Sequence, residues 1–294
     1  MKNKRGLFVG LCGLDVVFYE DKPLPKEDVK MKVADVRACI GGPAANAAIT
    51  HKLLGGDSVV ISYIGDSVVG HAVKQTMAEL GISVIDLCTD TDVKCISGIY
   101  VNTTDATRTI FSGRNPIHTL DNLNIVEKLV AENDFVLYDG HFSDIDEILL
   151  TAIKKYRKEL VIDVGGWKET FNIILQYNPI LICSEVFNRD GIDGIGLMDV
   201  FPYEKVAITR GKKSILYKTK AMREVAEIQV PKVNAVDTLG AGDVFHGAFC
   251  YAYFDMEQDF IQSLVFANCV ASISTTEYGV INGIKKYIEV SQKV

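Results

Sequence analysis

The chain has 294 residues, 48% of them apolar and 23% charged, enough to bury the core of one large α/β domain or two small ones. Its 31 basic residues against 38 acidic ones give a net charge of −7 with no long basic run, so no nucleic-acid partner is expected. The longest apolar runs fall short of the roughly 18 residues a membrane helix needs, and the seven cysteines contain no C-x-x-C pair, which argues against a zinc or iron–sulfur site and fits a reducing, cytoplasmic setting.

Gly6–Leu11 reads as a buried first strand; Asp15 soon interrupts the apolar run, which argues against a signal peptide. In open α/β sheets ligands gather outside the carboxyl ends of the strands, so Asp15 is a candidate for accepting two hydroxyls. Val16–Ala38, charged and carrying Pro23 and Pro25, lacks helical period and reads as edge strands or a flap. Gly41-Gly42-Pro43 then precedes a helix, with the proline suited to its first turn and Asn46 one turn in. Val59–Tyr63 is a strand. Gly65-Asp66-Ser67-Val68-Val69-Gly70 after it is no phosphate loop, because His71 and Ala72 stand where Lys and Ser/Thr belong. His71–Leu80 reads as an amphipathic helix closed by Gly81.

Lys94–Asn102 and Thr107–Phe111 alternate as a hairpin containing Arg108, followed by Ser112-Gly113-Arg114-Asn115-Pro116. From Phe135 strands and helices alternate: Phe135–Tyr138, Asp144–Tyr156, Leu160–Asp163, Ile180–Cys183 and Lys205–Thr209. That rhythm implies βαβ units and a doubly wound, mostly parallel sheet. Asp139-Gly140-His141 and Asp163-Val164-Gly165-Gly166 follow two of these strands and fall on the ligand edge.

The most informative stretch is Asp237-Thr238-Leu239-Gly240-Ala241-Gly242-Asp243, which opens the small, apolar helix Val244–Phe249. Glycines at a helix N-terminus free backbone N–H groups for an anion. A carboxylate beside them makes sense if Asp243 takes a proton from a hydroxyl while the Gly240, Ala241 and Gly242 amides hold the phosphoryl group being attacked. His246, one turn on, reads as core packing. Phe260–Thr276 is a further helix, carrying Asn268, and Glu277-Tyr278-Gly279 ends it.

D-T-x-G-A-G-D resembles the signature of the ribokinase-like (PfkB) carbohydrate kinases, and the motifs spread over nearly the whole chain in that family's order. The resemblance implies an ATP-dependent sugar kinase of ribokinase-like α/β fold, residues 1–294 forming one domain with lid segments at about 16–38 and 94–112. It implies sugar contacts from Asp15, Gly41, Gly42, Asn46, Arg108 and His141. ATP contacts would come from Ser184, Thr209, Gly211, Gly240, Gly242, Asn268 and Gly279. Mg²⁺ would accompany the nucleotide, and Asp237 would border a monovalent-cation site such as K⁺. Lids of this kind pair between subunits, which implies a homodimer.

The sequence departs from the family's N-x-x-E, carrying Ser184-Glu185-Val186-Phe187 there, so magnesium would rest on phosphates, water and few protein oxygens. His141 stands where ketohexokinases and sulfofructose kinases resemble one another in an arginine, which disfavours an anionic sugar. Two other readings stay open from the residues: a binding regulator that kept the fold without turnover, and a nicotinamide-dependent oxidoreductase, the latter disfavoured by the missing G-x-G-x-x-G.

Overall fold

The computed structural model describes residues 4–26, 29–88, 95–104, 107–113 and 124–293. Arg114, Asn115 and Pro116 after the hairpin lie outside these residues.

The strands, in chain order, are β1 (Arg5–Val9), β2 (Gly13–Glu20), β3 (Asp35–Gly41), β4 (Asp57–Ser62), β5 (Ser83–Asp86), β6 (Ile96–Asn102), β7 (Arg108–Ser112), β8 (Phe135–Tyr138), β9 (Glu159–Val164), β10 (Ile180–Ser184), the short β11 (Asn188–Arg189) and β12 (Ile192–Asp193), β13 (Lys205–Arg210), β14 (Lys213–Thr219) and β15 (Ala226–Ile228). The helices are α1 (Pro43–Leu54), α2 (Val68–Glu79), α3 (Asn124–Glu132), α4 (Asp146–Tyr156), α5 (Phe171–Ile174), α6 (Ala241–Cys250), α7 (Phe260–Ser274) and α8 (Val280–Ser291).

A nine-stranded sheet runs β15-β14-β13-β10-β9-β8-β1-β4-β5, parallel from β13 to β5 and antiparallel at the β14–β15 edge. Its central strands are apolar at nearly every position because both faces are covered. Side chains alternate between two cores: Phe8, Val60, Phe135, Leu137 and Ile182 pack under α1, α6, α7 and α8. Leu7, Val9, Ile61, Tyr138 and Ile162 pack on the other face, towards α3 and α4. This is the period of two that a strand imposes.

A second sheet, β3-β2-β6-β7, has four strands. Leu14 to Glu20 pairs in parallel with Ile96 to Asn102, so the two sequence segments read as lid and hairpin form one sheet. The lid starts earlier than the expected residue 16. β1 stops at Val9 rather than Leu11, and β2 begins at Gly13. Asp15 therefore rides on the lid and is not a loop residue past the first strand. The helix expected from His71 starts at Val68, because the Ser67 side chain accepts from the Gly70 amide at 3.0 Å.

β1 lies between β4 and β8, and the chain builds outward from it in both directions. The strand order reverses there, the position at which doubly wound sheets open a crevice beyond the carboxyl ends of their strands.

Candidate active site

Gly240 caps α6 with φ 76°, and a Cβ there would sit 2.7 Å from Val280 Cγ2. Glycine is the residue that takes this left-handed turn without strain. The first turn behind it leaves N–H groups unpaired, as helix starts do. The expected trio of amides is adjusted in one respect: the Ala241 N–H is engaged by the Thr238 carbonyl at 3.3 Å. Among the described residues, the Gly240, Gly242 and Asp243 N–H groups have no protein acceptor, so they are the open donors at this helix start.

Asp243 stands in that turn, and Asn46 Nδ2 donates to its Oδ2 at 2.7 Å. Burial raises its carboxyl from 3.8 to about 7, and the charge of Asp163 pushes the same way. The Asn46 hydrogen bond and His246 pull against them, and Asp139 adds a smaller rise. Asn46, expected as a sugar contact from the first turn of its helix, thus spends its amide on orienting Asp243. Asp237 collects the neighbouring loop: Leu239 N donates to Oδ1 at 2.9 Å, while the Tyr19 hydroxyl and Gly279 N each donate to Oδ2 at 3.1 Å. Three donors fill three of the roughly four lone-pair positions of a carboxylate.

A cavity of about 640 Å³ opens at the reversal point, with Asp15, Gly41, Gly42, Tyr63, His141 and Asp144 among its walls. Gly41 has no room for a side chain because Asp15 occupies that space. Burial raises Asp15 to about 6, against the pull of a hydrogen bond from Ser97. His141 Nδ1 lies 3.0 Å from Asp139 Oδ1, and Leu11 N donates to Asp139 Oδ2 at 2.8 Å. Asp139, 1% exposed, thereby holds both the start of the lid and the ring facing the cavity. Asp15 also lines an adjoining cavity of about 240 Å³ together with Asn46, Asp237 and Gly279.

Arg108 stands apart. It pairs with Val101, four residues along β7 from the Ser112 that reaches the cavity, a separation of roughly 13 Å at strand rise. Its whole strand is exposed.

The residues expected to hold the nucleotide divide into separate groups. Ser184 and Thr209 are register partners at the ends of β10 and β13. Ser184 Oγ donates to Gly165 O at 2.8 Å and Thr209 Oγ1 to Cys183 O at 3.3 Å, while Gly211, φ 59°, turns the chain into β14. Gly279 sits with Asp237 under the lid instead. Asn268 is buried in α7 and donates to Gln229 O at 2.9 Å, which ties it to the 229 backbone. Among the described residues, no cluster of three or more His, Cys, Asp or Glu side chains forms a metal site.

Asp139, His141 and Asp163, expected on the ligand edge, gather as a charged cluster beneath Asp243. Burial, then the Asp139 charge, raises Asp163 to about 7, with His141 and Lys168 opposing. Lys168 Nζ donates to Gly140 O at 3.1 Å, and burial lowers its pKa. Only the placement of Asp139 and His141 after β8 and of Asp163 near the end of β9 hinted at this cluster.

The fold recurs in solved structures. Ribokinase from Giardia lamblia matches with a TM-score of 0.83 at 19% identity over all of both chains. The Arabidopsis thaliana ribokinase complexed with ribose and ATP matches with a TM-score of 0.80 at 19% identity over 99% of each. The fold class is therefore ribokinase-like. In sequence, ribokinase of Bacillus subtilis (strain 168) is 26% identical over 97% of each chain, and probable fructokinase-5 of Arabidopsis thaliana is 26% identical over 82% of this chain and 83% of its own. The family model described as "pfkB family carbohydrate kinase" matches residues 4–167 and 197–286. The chain belongs to the PfkB family of carbohydrate kinases. It is an enzyme of ATP-dependent sugar phosphorylation, and the oxidoreductase and non-catalytic readings fall away.

Proposed function

We propose that Asp243 is the general base that takes the proton from a sugar hydroxyl as that oxygen attacks the γ-phosphorus of ATP. The supporting observation is its placement: a carboxylate in the first turn of α6, one oxygen fixed by Asn46, beside amides that lack protein acceptors. Oδ2 is held, and Oδ1 has no protein partner among the described residues and is left for the hydroxyl. The Gly240, Gly242 and Asp243 amides stabilise charge on the transferring phosphoryl group, with Gly240 also shaping the turn. A Mg²⁺ ion accompanying ATP would supply further charge neutralisation, with few protein oxygens needed to hold it. Ser184, Thr209 and Gly211 border the nucleotide, and Asp237 has one lone-pair position left for a monovalent cation.

The sugar we assign is uncharged. The described walls of the large cavity carry the acidic Asp15 and Asp144 with His141, and no Lys or Arg, so an anionic sugar meets repulsion. Asp15 and His141 read hydroxyls there. Ribose and fructose are the first candidates, because the relatives' names include ribokinase and fructokinase. ADP release with Mg-ATP against ribose, fructose, fructose 6-phosphate and sulfofructose tests this. Turnover confined to neutral sugars is the expected result, and preference for a phosphorylated or sulfonated sugar overturns it.

A further inference from the structure

The buried pair behind Asp243 has no part in the transfer chemistry above. His246, 4% exposed, places Nδ1 2.7 Å from Gly242 O and Nε2 3.1 Å from Ile182 O. Both neighbours are carbonyl oxygens, which only accept. A neutral imidazole has one N–H and one lone pair, so it satisfies one carbonyl and turns a lone pair on the other. A doubly protonated ring satisfies both. Asp163 Oδ2 lies 3.3 Å from Nδ1 and has no hydrogen-bond partner of its own among the described residues, so it is placed to balance that charge. Shifting the proton to Asp163 would leave a bare Nδ1 against Gly242 O at 2.7 Å, and the nearer carbonyl decides against it. Burial favours the neutral ring, but it penalises a net charge far more than a neutral ion pair with its protons satisfied.

We propose that His246 is an imidazolium paired with Asp163 and that it positions Asp243, fixing the Gly242–Asp243 peptide and supplying a positive charge one helical turn from the carboxylate. The positioning role rests on Asp243 being the base; the protonation state does not. The charged and polar groups facing this centre are Asn46 from α1, Asp139 after β8, Asp163 on β9 and His246 on α6, with His141 and Lys168 facing Asp163. Asp163 and Asp139 raise the Asp243 pKa and His246 lowers it. Loss of the imidazolium therefore makes Asp243 harder to ionise.

Long-range ¹H–¹⁵N correlation spectra of the histidine-labelled full chain at pH 7.5, with His246 assigned through His246→Gln, read the ring directly. The expected pattern is two proton-bearing nitrogens in the wild type and a neutral tautomer in Asp163→Asn. One bare nitrogen in the wild type, or an unchanged imidazolium in Asp163→Asn, overturns the pairing. For the positioning role, the acid limb of kcat/KM in His246→Gln should move upward by roughly one pH unit. A fall at every pH with the limb unmoved overturns that role. The spectra need no turnover, so they stand even if Asp243 proves not to be the base.

Discussion

Asp243 carries opposing demands. A base is useful when its pKa lies near the working pH, and burial brings this carboxyl to about 7. Activity should fall as pH drops through that value and level off above it, in a pH profile of kcat/KM. The same shift costs stability. An unfolded chain ionises Asp243 near 3.8 and the folded chain near 7, so folding binds the proton more tightly and stability declines as pH rises between those values. Asp243→Asn, which has no charge to bury, should raise Tm at pH 8 by several degrees, about 2–4 °C per kcal/mol relieved, in thermal denaturation. A lower Tm would count against the buried charge as the source. The Gly-Ala-Gly-Asp string was legible because its chemistry is local. The hydrogen bond from Asn46 to Asp243 was not legible, since the two lie 197 positions apart. Nothing in the spacing of Asp163 and His246 suggests that they meet.

At the scale of elements, the lid is fastened to the core by named contacts. The Tyr19 hydroxyl on β2 reaches Asp237, and Arg37 on β3 stacks 4.0 Å from the centre of the Tyr278 ring. Tyr19→Phe removes the hydroxyl from a buried carboxylate and should cost about 1 kcal/mol of stability. It should also raise KM for the sugar more than it lowers kcat; an unchanged KM would show that the fastening does not serve substrate binding. Gly240→Ala forces a side chain into a left-handed turn and against Val280, with a loss of about 1–3 kcal/mol in denaturant unfolding. The buried strands were legible from unbroken apolar runs. β5, α3, the β14–β15 edge and α8 were not. In α8, Gly283 interrupts the helical pattern because any side chain there would collide with Ser274, so tertiary packing, not propensity, holds the helix.

At the scale of the molecule, β7 is one edge strand of the four-stranded sheet and, among the described residues, pairs only with β6; Ile110 there is 53% and Phe111 55% exposed. An edge strand with exposed apolar side chains is a template for pairing, and we propose a homodimer formed there. Light scattering behind size exclusion should give two copies, reduced to one by Phe111→Lys; a wild-type monomer at micromolar concentration would contradict it. Among the described residues no helix is long and apolar enough to cross a membrane. The order of motifs made the doubly wound sheet legible, and Val16–Ala38 was expected to share one small sheet with the hairpin, as it does; the parallel register of β2 on β6 was not legible, because it leaves no local trace. The most direct test of the account is Mg-ATP-dependent ADP release on ribose and fructose by the wild type and Asp243→Asn. Turnover on a neutral sugar should fall by roughly 10²–10⁴-fold or more in the variant. Near-wild-type turnover in the variant would mean that another group takes the proton.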